Sequence, residues 1–302
     1  HIDLSVGFLS GFLGALAAIA MADPKIISGG LNMPVYLVIP LVLVLGILAG
    51  TVTAFLVANL GIPAFVATLA GWLGYRGALQ LVTAGTGTII INNKAFNALS
   101  NEFIPDIPGL NFLPGIHKLT LILGFVAIIM LIIGQINDRK IKQTYNFEVL
   151  PMDMFILKLV FMSVLLAGIT WIMAGYNGLS WTVVIVLAVV GIYDFITSRT
   201  VLGRHIYAIG GNPEAAQLSG ISIKRITYIV FGSMGMLSAL CGILYASRFK
   251  SATTTAGQLF ELDAIAAAFI GGVSPAGGIG KVIGSLIGAL VIYRIEAAPF
   301  TD

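Results

Sequence analysis

Charge is what this chain has least of. Only 10% of its 302 residues are charged, where a soluble domain carries about 25%. A globule so poor in charge has no polar surface to show water, which excludes an ordinary soluble enzyme and makes lipid the expected solvent. Cysteine is nearly absent. Cys241 alone excludes an intramolecular disulfide and gives no metal centre, and its apolar setting predicts core packing. The net charge of +3 is too small to indicate nucleic acid as a partner. A nucleotide motif is also missing. The nearest approach to a phosphate loop, Ala276-Gly277-Gly278-Ile279-Gly280-Lys281-Val282, lacks the first glycine and the hydroxyl after the lysine. Gly278-Ile279-Gly280 with Gly284 imitates a dinucleotide fingerprint without strand-helix-strand surroundings. His117 and His205 read as isolated loop residues, and no Ser/His/Asp set can be assembled. The chain is therefore expected to be no enzyme and to carry no cofactor of its own.

The middles of the apolar runs lack charge as well. Asp3, Asp23, Asp153, Asp194, Glu261 and Asp263 all lie near run ends, and Arg76 sits where it can snorkel. Ion-coupled carriers place ionisable groups inside their helices. A secondary transporter, the alternative reading, thus finds little support, and no internal repeat is visible. Ser, Thr, Asn and backbone groups suit a neutral, hydroxyl-rich solute.

What is present is length and apolarity. The chain is 58% hydrophobic with mean hydropathy +1.01, and spans need roughly 20 apolar residues each. The runs are Leu4–Ala22, Val35–Val57, Ala64–Val82, Leu119–Ile136, Met154–Ala174, Trp181–Ile196, Thr227–Ser247, Leu262–Val273 and Val282–Ile292. The last two are short and Gly-rich, as broken or re-entrant helices are. The expectation is an all-α polytopic integral membrane protein with about eight or nine membrane or re-entrant segments. Residues 1–302 form one transmembrane domain, read as a fragment cut at both ends: His1 stands almost on the first segment, and no clear tail follows Ile292.

Positive charge orients it. Arg139, Lys140 and Lys142 fall in the loop 137–152, and Arg199, Arg204, Lys224 and Arg225 in the loop 198–225. Two runs separate these loops, so both are expected on the cytoplasmic side. The loop 83–118 and the stretch Arg248–Gln258 are then outside, with Trp171, Tyr176 and Trp181 at the outer interface. Glycines four apart let helices approach closely in lipid. Gly7 with Gly11, Gly46 with Gly50, and Gly280, Gly284 and Gly288 have that spacing, and Gly71, Gly74 and Gly77 form a stripe three apart.

One polar island interrupts this pattern, Gly210-Gly211-Asn212-Pro213-Glu214-Ala215-Ala216-Gln217-Leu218-Ser219-Gly220. Asn212 is a cap, Pro213 fits the first helical position, Glu214 meets the positive dipole end, and Gly220 closes the helix. The local chemistry predicts a cytoplasmic helix of under two turns. Ala215 and Ala216 permit close approach by another protein, and Leu218 with Ile221 offers one apolar face. An ordinary capped loop helix would look the same on local chemistry.

The island resembles the cytoplasmic coupling loop of ABC importer permeases, specifically the monosaccharide branch with its ribose, xylose, galactose and arabinose members. Three further strings keep the family order: Ile2-Asp3-Leu4-Ser5-Val6-Gly7; Thr255-Ala256-Gly257-Gln258 with Glu261-Leu262-Asp263-Ala264-Ile265-Ala266-Ala267; and Ile270-Gly271-Gly272-Val273-Ser274 with Gly277-Gly278 and Gly280. The loop 83–118 and the basic stretch Asn137–Phe147 are closer to the xylose-type subgroup than to the ribose type. Arg294–Asp302 departs from the family's apolar end.

The resemblance implies a vitamin-B12-permease-like fold and a multi-pass place in the bacterial inner membrane. It also implies a second permease copy, identical or paralogous, a separate ABC ATPase holding ATP and Mg, and an extracytoplasmic sugar-binding protein. It assigns ATPase coupling to Gly211, Asn212, Pro213, Glu214, Ala215, Ala216, Leu218 and Gly220, flanked by Arg204 and His205. Asp3, Ser5, Gly7, Glu261, Asp263, Gly271 and Gly272 fall near the translocation path or gate, and Arg248 and Lys250 toward the binding protein. Read plainly, Asp3 and Ser5 are also a helix-capping pair, Glu261 and Asp263 first-turn acids, and Arg248 and Lys250 solvated charges. A branched-chain amino acid permease of the same superfamily is the nearest rival, and the strings Ile2–Gly7 and Asn212–Gly220 favour sugars.

Overall fold

A backbone wrapped in apolar side chains must satisfy its own hydrogen bonds, and the α-helix does so within one segment. The computed structural model, which describes residues 2–24, 29–107 and 115–297, follows that rule. In chain order it holds α1 (Val6–Met21), α2 (Val35–Ala58), α3 (Ala64–Thr83), β1 (Thr88–Ile90), α4 (Lys94–Asn101), α5 (Lys118–Thr144), α6 (Met152–Tyr176) and α7 (Trp181–Arg199). There follow α8 (Val201–Gly211), α9 (Pro213–Leu218), α10 (Ile223–Phe249), β2 (Ser251–Thr253), α11 (Phe260–Ile270) and α12 (Val282–Ala297). Each apolar run of the sequence became a helix. Among the described residues, five helices (α2, α5, α6, α7 and α10) are long and apolar enough to cross a membrane. α3 has the length but less apolarity, and α1, α11 and α12 are shorter.

The chain divides into two compact units, residues 1–101 with 185–302, and residues 102–184. In the first, α1, α2 and α10 share a core of Phe8, Leu13, Val38, Val42, Ala239 and Ile243. Glycine sets the crossings. A Cβ built at Gly46 or Gly235 would strike the backbone of the other, and one at Gly14 would lie 2.8 Å from Gly242 O. The expected stripe Gly71, Gly74 and Gly77 behaves differently. A Cβ built at Gly71 would lie 3.1 Å from Ser5 Cβ, but Gly74 and Gly77 face open space, so spacing alone did not make that stripe a packing face. Cys241 lies on an exposed position of α10 rather than in the core.

The loop 83–118 holds more structure than its composition suggests. β1 pairs antiparallel with β2 in the register Thr88↔Thr253, joining two stretches both read as outer. α4 is tied to the end of α10 by Ser247, whose Oγ donates to Phe96 O (2.8 Å) and accepts from Ser100 N (3.1 Å). Residues 108–114 of that loop lie outside the described residues.

In the second unit α5 and α6 pack together, with Gly124 against Thr170. His117 is no isolated loop residue. It caps α5 by accepting from Thr120 N (3.3 Å), and its Nε2 lies 2.8 Å from Ile104 O. Asp106 accepts from the N–H groups of Leu119, Lys118 and Ile107. Those bonds, Leu119's foremost, hold its carboxyl well below the usual carboxylate range. His205 likewise sits within α8, not in a loop. The basic stretch also proved helical: α5 runs on to Thr144, Lys142 pairs with Asp138 (2.8 Å), and Arg139 donates to Leu150 O (2.7 Å).

Candidate functional site

The polar island folds as its capping chemistry dictates. Thr200 caps α8 by accepting from Gly203 N (3.3 Å), and α8 ends at Gly211. Asn212 turns the chain, and its Oδ1 accepts from Ala215 N (3.0 Å). Pro213 opens α9, Glu214 occupies its first turn, and Gly220 has φ +83° beyond its end. Ala216 is the buried residue of α9. Leu218 is 91% exposed, so the apolar side chain expected to help bury this helix points outward, and small Ala216 seats it on the chain instead. Glu214, Ala215 and Gln217 are exposed too, as is Arg204 on α8. A short, rigidly capped helix thus presents nearly its whole surface.

Behind it lies a cavity of about 840 Å³ within the first unit, bordered by α8, α10, α11, the turn 273–281 and the start of α1. Its size falls in the range of small-molecule sites. Most of its lining is apolar, and Asp3, Glu261, Tyr207 and Lys281 bring polar groups to it. The two carboxylates are buried although both stand near run ends. Asp3 is 7% exposed, and its Oδ1 accepts from Ser5 N (2.8 Å) and Ser5 Oγ (2.6 Å). Asp3 thus binds Ser5 two residues on, while Ser5, at the N-cap of α1, makes no side-chain capping bond as the expected pair would. Glu261 is 3% exposed; its Oε1 accepts from Trp72 Nε1 (2.9 Å), and its Oε2 has no hydrogen-bond partner among the described residues. That oxygen rests against the bare α-carbon of Gly7, where any side chain would collide with it.

The other residues singled out in the sequence are placed as follows. Ser5 and Gly7 pack behind the cavity and do not line it, and neither does Asp263, half-buried in the first turn of α11. Gly271 abuts Gly284 backbone to backbone, and Gly272 turns the chain at φ +84°. Arg248 donates to Ser100 O at 3.4 Å, and Lys250 caps α10 in the left-handed region at φ +54°. Sequence reasoning missed Trp72. It also missed Arg76, whose guanidinium lies 5.5 Å from the Trp72 ring centre and 5.8 Å from that of Phe8. A lone tryptophan within the apolar run Ala64–Val82 was the one signal available.

The arrangement offers an exposed, capped helix, a cavity of solute size and buried hydrogen-bond acceptors. The protein family described as "Branched-chain amino acid transport system / permease component" matches residues 1–299. The chain is 36% identical over 298 residues to the xylose transport system permease protein XylH of Haemophilus influenzae, covering 98% of this chain and 74% of that protein. It is 34% identical over 296 residues to XylH of Escherichia coli K12, covering 98% and 70%. To the ribose import permease protein RbsC of Haemophilus influenzae it is 32% identical over 300 residues, covering 98% and 68%. No solved structure matches the chain.

Proposed function

The chain belongs to this family of transport permeases, and from that membership we propose that it is the membrane-spanning subunit of an ATP-driven monosaccharide importer, of the xylose type. The reading rests on similarity to xylose and ribose permeases along nearly the whole chain. It is no enzyme. ATP and Mg belong to a separate ATPase, and an extracytoplasmic binding protein delivers the sugar. The fold proposed is vitamin-B12-permease-like, one transmembrane domain with eight or nine segments counting α1, α3, α11 and α12. A second permease copy completes it in a bacterial inner membrane. The outward apolar side chains of α5, α6 and α7 suit lipid or that second copy.

The single observation that carries coupling is α9. This chain lacks a nucleotide motif, yet it holds out a capped helix with Leu218 bare. Leu218 would enter an apolar groove of the ATPase, with Glu214, Ala215 and Arg204 around it. Asp3 and Glu261 would accept hydrogen bonds from the hydroxyls of a passing sugar, in a cavity they share with Lys281. On the outer side Lys250 and Arg248 are the proposed contacts for the binding protein.

The experiment is Ala215→Arg, assayed in proteoliposomes with the ATPase and binding protein. D-xylose uptake should fall about tenfold or more, within ordinary coupling energies, while the chain still inserts and purifies. Unimpaired uptake would remove α9 from the coupling route.

A further inference from the structure

α9 touches the cavity only at its first residue, Pro213, so its motion needs a route to Glu261. The preceding helix supplies one. Gly210, near the end of α8, meets the turn between α11 and α12 backbone to backbone. A Cβ on Gly210 would lie 2.5 Å from Gly278 N, one on Gly277 would lie 2.5 Å from Gly210 O, and one on Gly278 would lie 2.9 Å from Gly211 Cα. Gly277 (φ +94°) and Gly278 (φ +74°) adopt a conformation that other residues resist. One turn earlier on α8, Tyr207 donates its hydroxyl to Gly280 O at 2.7 Å. Two rigid elements therefore clasp without side chains between them, which leaves little slack.

Beyond the clasp the contact continues. Gly271 on the α11 side abuts Gly284 of α12, and Gly288 abuts Ala267 O, so α11 and α12 pack as a hairpin. The opposite end of α11 carries Glu261, bonded to Trp72 of α3 and seated over Gly7 of α1. Tyr207, Gly210 and Glu261 all border the same cavity.

We propose that the clasp of Gly210–Gly211 on Gly277–Gly278, braced by Tyr207, relays displacement of α9 into the α11–α12 hairpin and so moves Glu261 at the cavity. Tyr207, Gly210 and Gly278 are positioning residues. They line the cavity beside Glu261, and they set where Glu261 stands when the ATPase closes. The proposal rests on the reading of α9 above.

Gly210→Ala is the direct test. Alanine suits the interior of α8, so the helix is kept while the added methyl wedges the clasp open. D-xylose uptake and ATP hydrolysis are measured together in proteoliposomes. Uptake per ATP hydrolysed should fall about fivefold or more, the lower end of ordinary coupling between sites, with hydrolysis retained. Tyr207→Phe should move the ratio the same way by a smaller factor, and it decides the matter if Gly210→Ala fails to fold. Gly74→Ala, facing open space, should leave the ratio unchanged. A second readout takes the emission of Trp72 as the difference between proteins with Trp72 and with Trp72→Phe, both in a Trp171→Phe/Trp181→Phe background. A non-hydrolysable ATP analogue should shift its emission with Gly210 present and not in Gly210→Ala. Unchanged ratios in both Gly210→Ala and Tyr207→Phe, or a shift that survives Gly210→Ala, would overturn the relay. If Ala215→Arg uncouples while those two variants do not, the relay alone falls; if Ala215→Arg is silent, the reading of α9 falls with it.

Discussion

At Glu261 a buried carboxylate has one oxygen bonded to Trp72 and the other without a partner among the described residues. Nearly all buried polar atoms find partners, so such an exception calls for a role. Trp72→Phe would leave both oxygens unpartnered and should destabilise the protein by about 1–3 kcal/mol, read as a lower melting temperature of the purified permease. Glu261→Gln keeps an acceptor for the indole. It should hold its stability closer to the parent while uptake falls, and equal losses of stability in the two variants would contradict the assignment. Asp106 makes a prediction about acid. Its folded pKa lies below the unfolded value of about 3.9, so its contribution is whole above about pH 4 and fades as pH falls toward the folded value. The protection of the Lys118 and Leu119 amides, relative to intrinsic exchange at the same pH, should fall in that acid range. In Asp106→Asn the acid step should be missing and exchange faster at neutral pH; the same pH profile in both proteins would refute the cap. Neither residue's part was legible in the sequence. Trp72 and Glu261 are 189 positions apart, and nothing local pairs them.

Elements divide by whether their cause is local. α9 was legible because Asn212, Pro213, Glu214 and Gly220 each favour one position of one short helix. α4 and the β1–β2 pair were not, since they depend on Ser247 and on a strand far along the chain. α5 outran its apolar run because Gln135, Arg139, Lys140 and Lys142 are good helix formers, and polarity ends a span without ending a helix. Glycine spacing named faces but not what opposes them, which is why Gly46 found Gly235 while Gly74 found nothing. Gly235→Val should therefore separate α2 from α10 at a cost of about 1–3 kcal/mol or more, whereas Gly74→Ala should stay within about 0.5 kcal/mol. Thermal unfolding followed by size-exclusion chromatography compares the two, and equal effects would mean the crossing is not made through glycine.

Among the described residues, five helices of membrane length stand beside a second class of helix in the chain order, short and glycine-bordered. The long ones hold position in lipid. α8 meets the turn before α12, and α11 meets α12, through backbone contacts, and all three helices border the cavity, which suits them to move together. On the proposed function, such a chain would receive its work from a separate ATPase. The measurement that bears most directly on this is D-xylose uptake into proteoliposomes holding the permease, its binding protein and its ATPase, with and without ATP and with and without a proton gradient. Uptake should need both ATP and the ATPase and be indifferent to the gradient. Uptake that persists without the ATPase and follows the proton gradient would contradict the account.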